Sequence, residues 1–140
     1  MTVGHGEYDL AMASPLPIRR DQPPDDAVVV VRAGVMTPDR VIDTATDAFE
    51  DYGVYTVSVE AAIDVSVDEL CRSSPRIGER YGRVRLSSFG RLRAAGFAVL
   101  ATFTHPHFDV VLPDLSEVTV ARLGRCFDEP IPNPGRRPRG

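Results

Sequence analysis

The stretch AVVVVRAGVMTPDRVIDTATDAFEDYGVYTVSVE, residues 27–60, decides the fold. It opens on Ala27-Val28-Val29-Val30-Val31, a continuous apolar run of the kind that lies buried on both faces of a sheet. Thr37 then offers an N-cap hydroxyl, and Pro38 brings the preset φ of a first helical residue. Val41, Ile42, Ala45, Ala48, Phe49 and Tyr52 recur at helical spacing until Gly53 stops the run. From Val54 to Glu60 the pattern changes to alternation. Tyr55, Val57 and Val59 share one face and Thr56, Ser58 and Glu60 the other, which predicts a half-buried strand.

Working outward, Ser66 and Glu69 form a capping box ahead of Leu70, so a short helix starts there and finishes by Pro75. Arg83, Arg85 and Ser87 alternate with Val84 and Leu86 in a third strand, and Ser88 to Ala95 is a turn or two of helix closed by Gly96. Phe97–Phe103 and Phe108–Leu112 read as a hairpin around Thr104-His105-Pro106. Asp114 and Glu117 suggest a second capping box before a helix carrying Val118, Ala121, Leu123 and Phe127. The order βαβαβαββα predicts an α/β (α+β) fold, a single small domain with a mixed sheet packed by helices. Residues 1–26, with Pro15, Pro17, Pro23 and Pro24, read as a flexible N-terminal arm, 27–127 as the folded domain and 128–140 as a Pro/Arg-rich tail.

All sixteen basic residues are arginine, and the 140-residue chain has no lysine. That excludes a lysine Schiff base, a P-loop and a Ser–Lys dyad, each of which needs an ammonium on a flexible stem. No G-x-G-x-x-G or G-x-S-x-G is present, and no cofactor is expected. No run reaches the roughly 20 apolar residues of a membrane span, and Met1–Leu10 lacks the basic and apolar regions of a signal peptide. A cytoplasmic location is the expectation, with Cys71 and Cys126 as reduced, buried thiols.

The net charge of −4 conceals two poles. Asp39 to Glu69 holds nine acids and one arginine; Arg72 to Arg93 holds seven arginines and one acid. Within the first, Asp39, Asp43, Asp47 and Asp51 fall at i, i+4 spacing, an acidic helix face suited to a basic partner. In the second, Arg83 and Arg85 share a strand face ahead of Ser88, so guanidinium forks stand beside a capped helix start, a setting suited to phosphate. The two poles could equally pair with each other.

Thr104-His105-Pro106-His107-Phe108-Asp109 is similar to the opening of the metallo-β-lactamase metal motif. The next histidine of that motif is Val110 here and the remaining histidine is His5, so no metal site is expected. His107 and Asp109 nonetheless share a strand face and could orient an imidazole for proton transfer. Val31-Arg32-Ala33-Gly34 and Tyr55-Thr56-Val57-Ser58 resemble the arginine-then-serine layout of ADP-ribosyltransferase-fold proteins, small bacterial toxins among them. The resemblance implies Arg32 on a dinucleotide's phosphate side and Ser58 under its ribose, although that family's Glu-x-Glu is missing and the hairpin offers Asp109. Arg32-Ala33-Gly34, Gly90 to Gly96, Pro106 to Phe108 and Pro132 to Pro134 resemble segments of uncharacterised small α/β proteins of high-GC bacteria, which implies a fold and no activity.

Two expectations follow. The first is a small toxin-type protein acting on RNA or a nucleotide, with His107 and Asp109 catalytic and Arg32, Arg83, Arg85, Ser58 and Ser88 binding phosphate. The second is a non-catalytic interaction module of the immunity or adaptor type, docking a basic partner on Asp39, Asp43, Asp47 and Asp51.

Overall fold

Thr37 and Pro38 start the first helix as their chemistry dictates. A computed structural model describes residues 14–20, 23–31, 36–74, 77 and 81–135. In it, α1 (Pro38–Tyr52) is capped by the Thr37 hydroxyl, which accepts from the Arg40 amide, and closed by Gly53 at φ 77°. That left-handed value explains why glycine stands there. The neighbouring strands are β1 (Val28–Val31) and β2 (Tyr55–Ala62). The helix α2 (Val67–Ser73) begins at Ser66, whose hydroxyl accepts from the Glu69 amide. Then come β3 (Arg83–Ser88), α3 (Phe89–Ala94), β4 (Ala98–Ala101), β5 (His107–Leu112), α4 (Glu117–Arg125) and a two-residue β6 (Ile131–Pro132). No helix among the described residues is long and apolar enough to cross a membrane.

The strands form one sheet in the order β4-β5-β2-β1-β3-β6, and every pairing is antiparallel. The small α/β domain expected from the sequence is therefore present, its mixture being of helices and strands rather than of strand directions. Register sorts the two faces. On one, Val57, Val59 and Ala61 of β2 lie beside Phe108 and Val110 of β5. These join Phe89, Leu92, Val120, Leu123 and Phe127 in the main core, with Phe89 and Phe108 edge-to-face at 5.0 Å. On the other face a smaller cluster of Leu70, Cys71, Ile77 and Val84 packs against Val28, Ala62 and Leu86.

Three local expectations are corrected. β2 is buried on both faces rather than half-buried, since Thr56 and Glu60 are both 3 % exposed. The cap of α4 is Ser116, not Asp114: the Ser116 hydroxyl accepts from the Thr119 amide, and the Asp114 carboxylate accepts from the Ser116 amide and the Thr119 hydroxyl. Those bonds, the Thr119 hydroxyl foremost, hold the Asp114 carboxyl down at about 2. The ends are also docked where described. Ile18 bridges Thr102, and the Asn133 side chain donates to the Tyr81 carbonyl while accepting from the Gly135 amide. Gly135 lies so close to α2 that a Cβ there would meet the Cys71 carbonyl carbon at 2.4 Å.

Gly135→Ala is therefore expected to lower stability by about 1–3 kcal/mol. Gly124→Ala, in α4 with nothing within 4 Å, is expected to raise it by up to about 1 kcal/mol. Denaturant midpoints check both. A carboxyl depressed on folding stabilises above its unfolded value of 3.8 and stops doing so as pH falls through about 2. The gap in stability between wild type and Asp114→Ala should accordingly narrow between about pH 4 and pH 2 in the same titration.

Candidate functional site

Because β5 lies on β2 with Ser58 opposite Asp109 and Glu60 opposite His107, the polar residues of both strands gather on one sheet face. Leu100 of β4 lies opposite Asp109, and Thr102 follows two residues on, which brings its hydroxyl to the same face. That hydroxyl joins the group: it donates to Asp109 Oδ2 at 2.8 Å and lies 2.9 Å from His107 Nδ1. With its one proton given to the carboxylate, the Thr102 oxygen can only accept from the ring, so Nδ1 carries a proton. Ser58 donates to the other carboxylate oxygen at 3.2 Å. His107 and Asp109 stand 4.0 Å apart with Thr102 between them, at 3 % and 2 % exposure. Next to them Ser74 donates to Glu60 Oε1.

Arg19, in the segment read as a flexible arm, holds the back of the hairpin. Its Nη1 donates to the Thr102 and His107 carbonyls, and its guanidinium lies 5.1 Å over the Phe108 ring. In front of the network is a cavity of about 390 Å³. Thr56, Ser58, Phe103, His107 and Asp109 line it from the sheet, and Thr44, Asp47, Ala48, Asp51 and Tyr52 from α1. Its aromatic wall is a chain of edge contacts, Tyr52 to Phe103 at 5.6 Å and Phe103 to His107 at 5.3 Å.

His107, Asp109 and Ser58 are thus brought together, with Asp47 and Asp51 facing them. Asp39 and Asp43 lie exposed on the same helix outside the cavity. Arg83 and Arg85 are elsewhere. Val30 pairs with Leu86 and Val31 with Arg85, so both arginines point to the face opposite His107. Two strands also intervene, three spacings of roughly 5 Å. Arg32 lies outside the described residues.

At Ser88, where a phosphate cradle was expected, the neighbouring amides are already paired. The Ser88 hydroxyl accepts from the Arg91 amide, and the Phe89 and Gly90 amides donate to the Ala27 and Asp25 carbonyls. Arg85 donates to the Asp128 and Phe127 carbonyls. Arg91 donates to the Asp128 carboxylate and Arg125 carbonyl, Arg93 to the Asp25 carboxylate and Pro23 carbonyl. The carbonyls of Arg125 and Phe127 belong to the end of α4, where a helix leaves acceptors unsatisfied and favours cations. Arg85, Arg91 and Arg93 of the basic pole therefore turn inward onto Asp25, Asp128 and the main chain. None of Asp39, Asp43, Asp47 and Asp51 takes part in an ion pair among the described residues.

No group of three or more His, Cys, Asp or Glu residues able to hold a metal occurs among the described residues. Both cysteines are buried and free, and burial, reinforced by Asp68, pushes the Cys71 thiol up to about 11. Burial raises Cys126 too, against the pull of Arg91 and its neighbours. Neither is a thiolate nucleophile near neutral pH.

The sequence reading missed Thr102, Tyr52, Phe103 and Thr56 as site residues. The available signal was the polar row Thr56-Ser58-Glu60, taken for a solvent face, which matches His107 and Asp109 once the two strands are paired. Comparison with known proteins matched no family model, no curated relative and no solved structure.

Thr102→Val should leave the Asp109 carboxylate and the His107 ring each short of one partner, at about 1–3 kcal/mol per group. Chemical denaturation reads that loss. Long-range proton–nitrogen correlations of the His107 ring should show a proton on Nδ1 in wild type and a lost preference in the variant.

Proposed function

We propose that the protein is a non-catalytic interaction module that docks a basic partner against the acidic side of α1 and the cavity beside it. The observation that carries this reading is the cavity's charge. Asp47, Asp51 and Asp109 line it, no arginine does among the described residues, and α1 has no basic residue in its last turn. Asp47 and Asp51 oppose the helix dipole and repel each other at i, i+4, at a few tenths of a kcal/mol per pair. Among the described residues no internal ion pair offsets that cost, whereas a partner's cations would.

Phosphate chemistry has less support. An anion 4 Å from one of these carboxylates would meet repulsion of about 4 kcal/mol at a surface-like dielectric of about 20. Arg83 and Arg85 lie on the opposite sheet face, and Arg85, Arg91 and Arg93 are paired within the fold. His107 and Asp109 then act as structural partners through Thr102 rather than as a proton-transfer pair on a phosphodiester.

Fluorescence anisotropy separates the two classes, using a labelled arginine-serine peptide and an oligoribonucleotide of equal length. The peptide should bind, weaken with added salt, and be lost in Asp47→Asn/Asp51→Asn, while the RNA should not bind. Binding of RNA with none of the peptide would overturn the proposal and return the site to phosphate chemistry.

A further inference from the structure

The cavity's lining says which basic group it accepts. Asp47, Asp51 and Asp109 offer carboxylate oxygens, and Ser58, having given its proton to Asp109, offers only lone pairs. Thr56 is 3 % exposed, lines the cavity, and its hydroxyl takes no hydrogen-bond partner among the described residues. Such an acceptor-rich surface suits a ligand with several donors. Beside the carboxylates stand Tyr52 and Phe103, two aromatic rings inclined at 70°. A volume of about 390 Å³ is near the low end of ligand cavities, roughly 300–1,000 Å³, and suits one extended side chain or small molecule.

The chain shows how it binds a guanidinium by binding its own. Arg93 lies 5.2 Å over the Phe89 ring with its Nη1 2.6 Å from Asp25. Arg19 and Arg122 lie 5.1 Å and 4.9 Å over Phe108 and Phe97. A ring on one side and a carboxylate on the other is the arrangement the cavity repeats with Tyr52, Phe103, Asp47 and Asp51. A planar guanidinium with five donors can stack on a ring and still reach two acceptors. A lysine ammonium is compact and more strongly hydrated, so it gains less from the same walls.

We propose that this cavity receives a single arginine side chain of the partner, its guanidinium held between the Tyr52–Phe103 wall and the carboxylates of Asp47 and Asp51. The proposal rests on the docking function and narrows it from a basic surface to one residue type in one place.

The test is a titration of the nitrogen-15-labelled full chain, followed by its amide spectrum, with Nα-acetyl-arginine-amide and then Nα-acetyl-lysine-amide. The arginine compound should give saturable shifts concentrated at the Thr56, Ser58 and Phe103 amides, and the lysine compound should bind roughly threefold more weakly or less. Asp47→Asn/Asp51→Asn should weaken the arginine compound roughly tenfold, and Tyr52→Leu roughly threefold, in spectra that otherwise keep their dispersion. Equal response to the two compounds, shifts spread over other surfaces, or no effect of Tyr52→Leu would overturn it. If the arginine-serine peptide still binds in an Asp47- and Asp51-dependent way after such a result, docking on α1 stands and only the arginine-in-cavity proposal falls. If neither binds, both fall.

Discussion

Six consecutive residue pairs, from Tyr55 with Leu112 to Glu60 with His107, hold β5 on β2. Side chains alternate with a period of two, so a slip of one residue would exchange both faces at once. Phe108 and Val110 would then meet Ser58 and Thr56, while His107 and Asp109 would be driven among Val57, Val59 and the rings of the main core. The register is thus held from both sides. One face excludes the slipped state by losing apolar burial, and the other by stranding a buried carboxylate and imidazole. Everything that faces the cavity from the sheet inherits its position from this one pairing.

Several buried groups of the polar face pair with one another, which offsets part of the cost of burying them. Asp109 receives the Ser58 and Thr102 hydroxyls on its two oxygens, and Thr102 in turn accepts from His107. Glu60 receives the Ser74 hydroxyl, whose oxygen also accepts from the Ile77 amide. These contacts join β2, β4, β5 and the segment after α2, so they specify tertiary arrangement as well as offsetting desolvation. Arg19 extends the same logic outward, drawing together two carbonyls of the hairpin and laying its stem across Phe108. A network built this way resists rearrangement, so the surface it presents to the cavity is preformed.

Local punctuation was legible in the sequence because it is local physics. Thr37, Pro38 and Gly53 bound α1, Ser66 caps α2 and Ser88 caps α3, each by a contact within a few residues. Asp114 was misread as a cap because Asp114 and Ser116 are both capable acceptors two residues apart, and only the backbone path decides which one meets the Thr119 amide. Sheet order was not legible. Nothing in Arg83-Val84-Arg85 or His107-Phe108-Asp109 says that β1 and β2 will stand between them, since pairing is settled by nonlocal packing. The same holds for Ile131-Pro132 and Asn133, which read as tail and become the last strand and a buried anchor.

The absence of lysine takes on a physical meaning once the arginines are placed. Arg19, Arg85, Arg91 and Arg93 each reach two separate acceptors from one guanidinium, joining carbonyls and carboxylates from segments far apart in sequence. A planar fork can do that while keeping its charge; an ammonium, as a point donor, spans such pairs less well. Cations used this way are turned toward the main chain and contribute little field to the outside. The acids of α1 make no ion pair of this kind among the described residues. The cavity lies along that helix, and Asp47 and Asp51 give it a negatively charged wall.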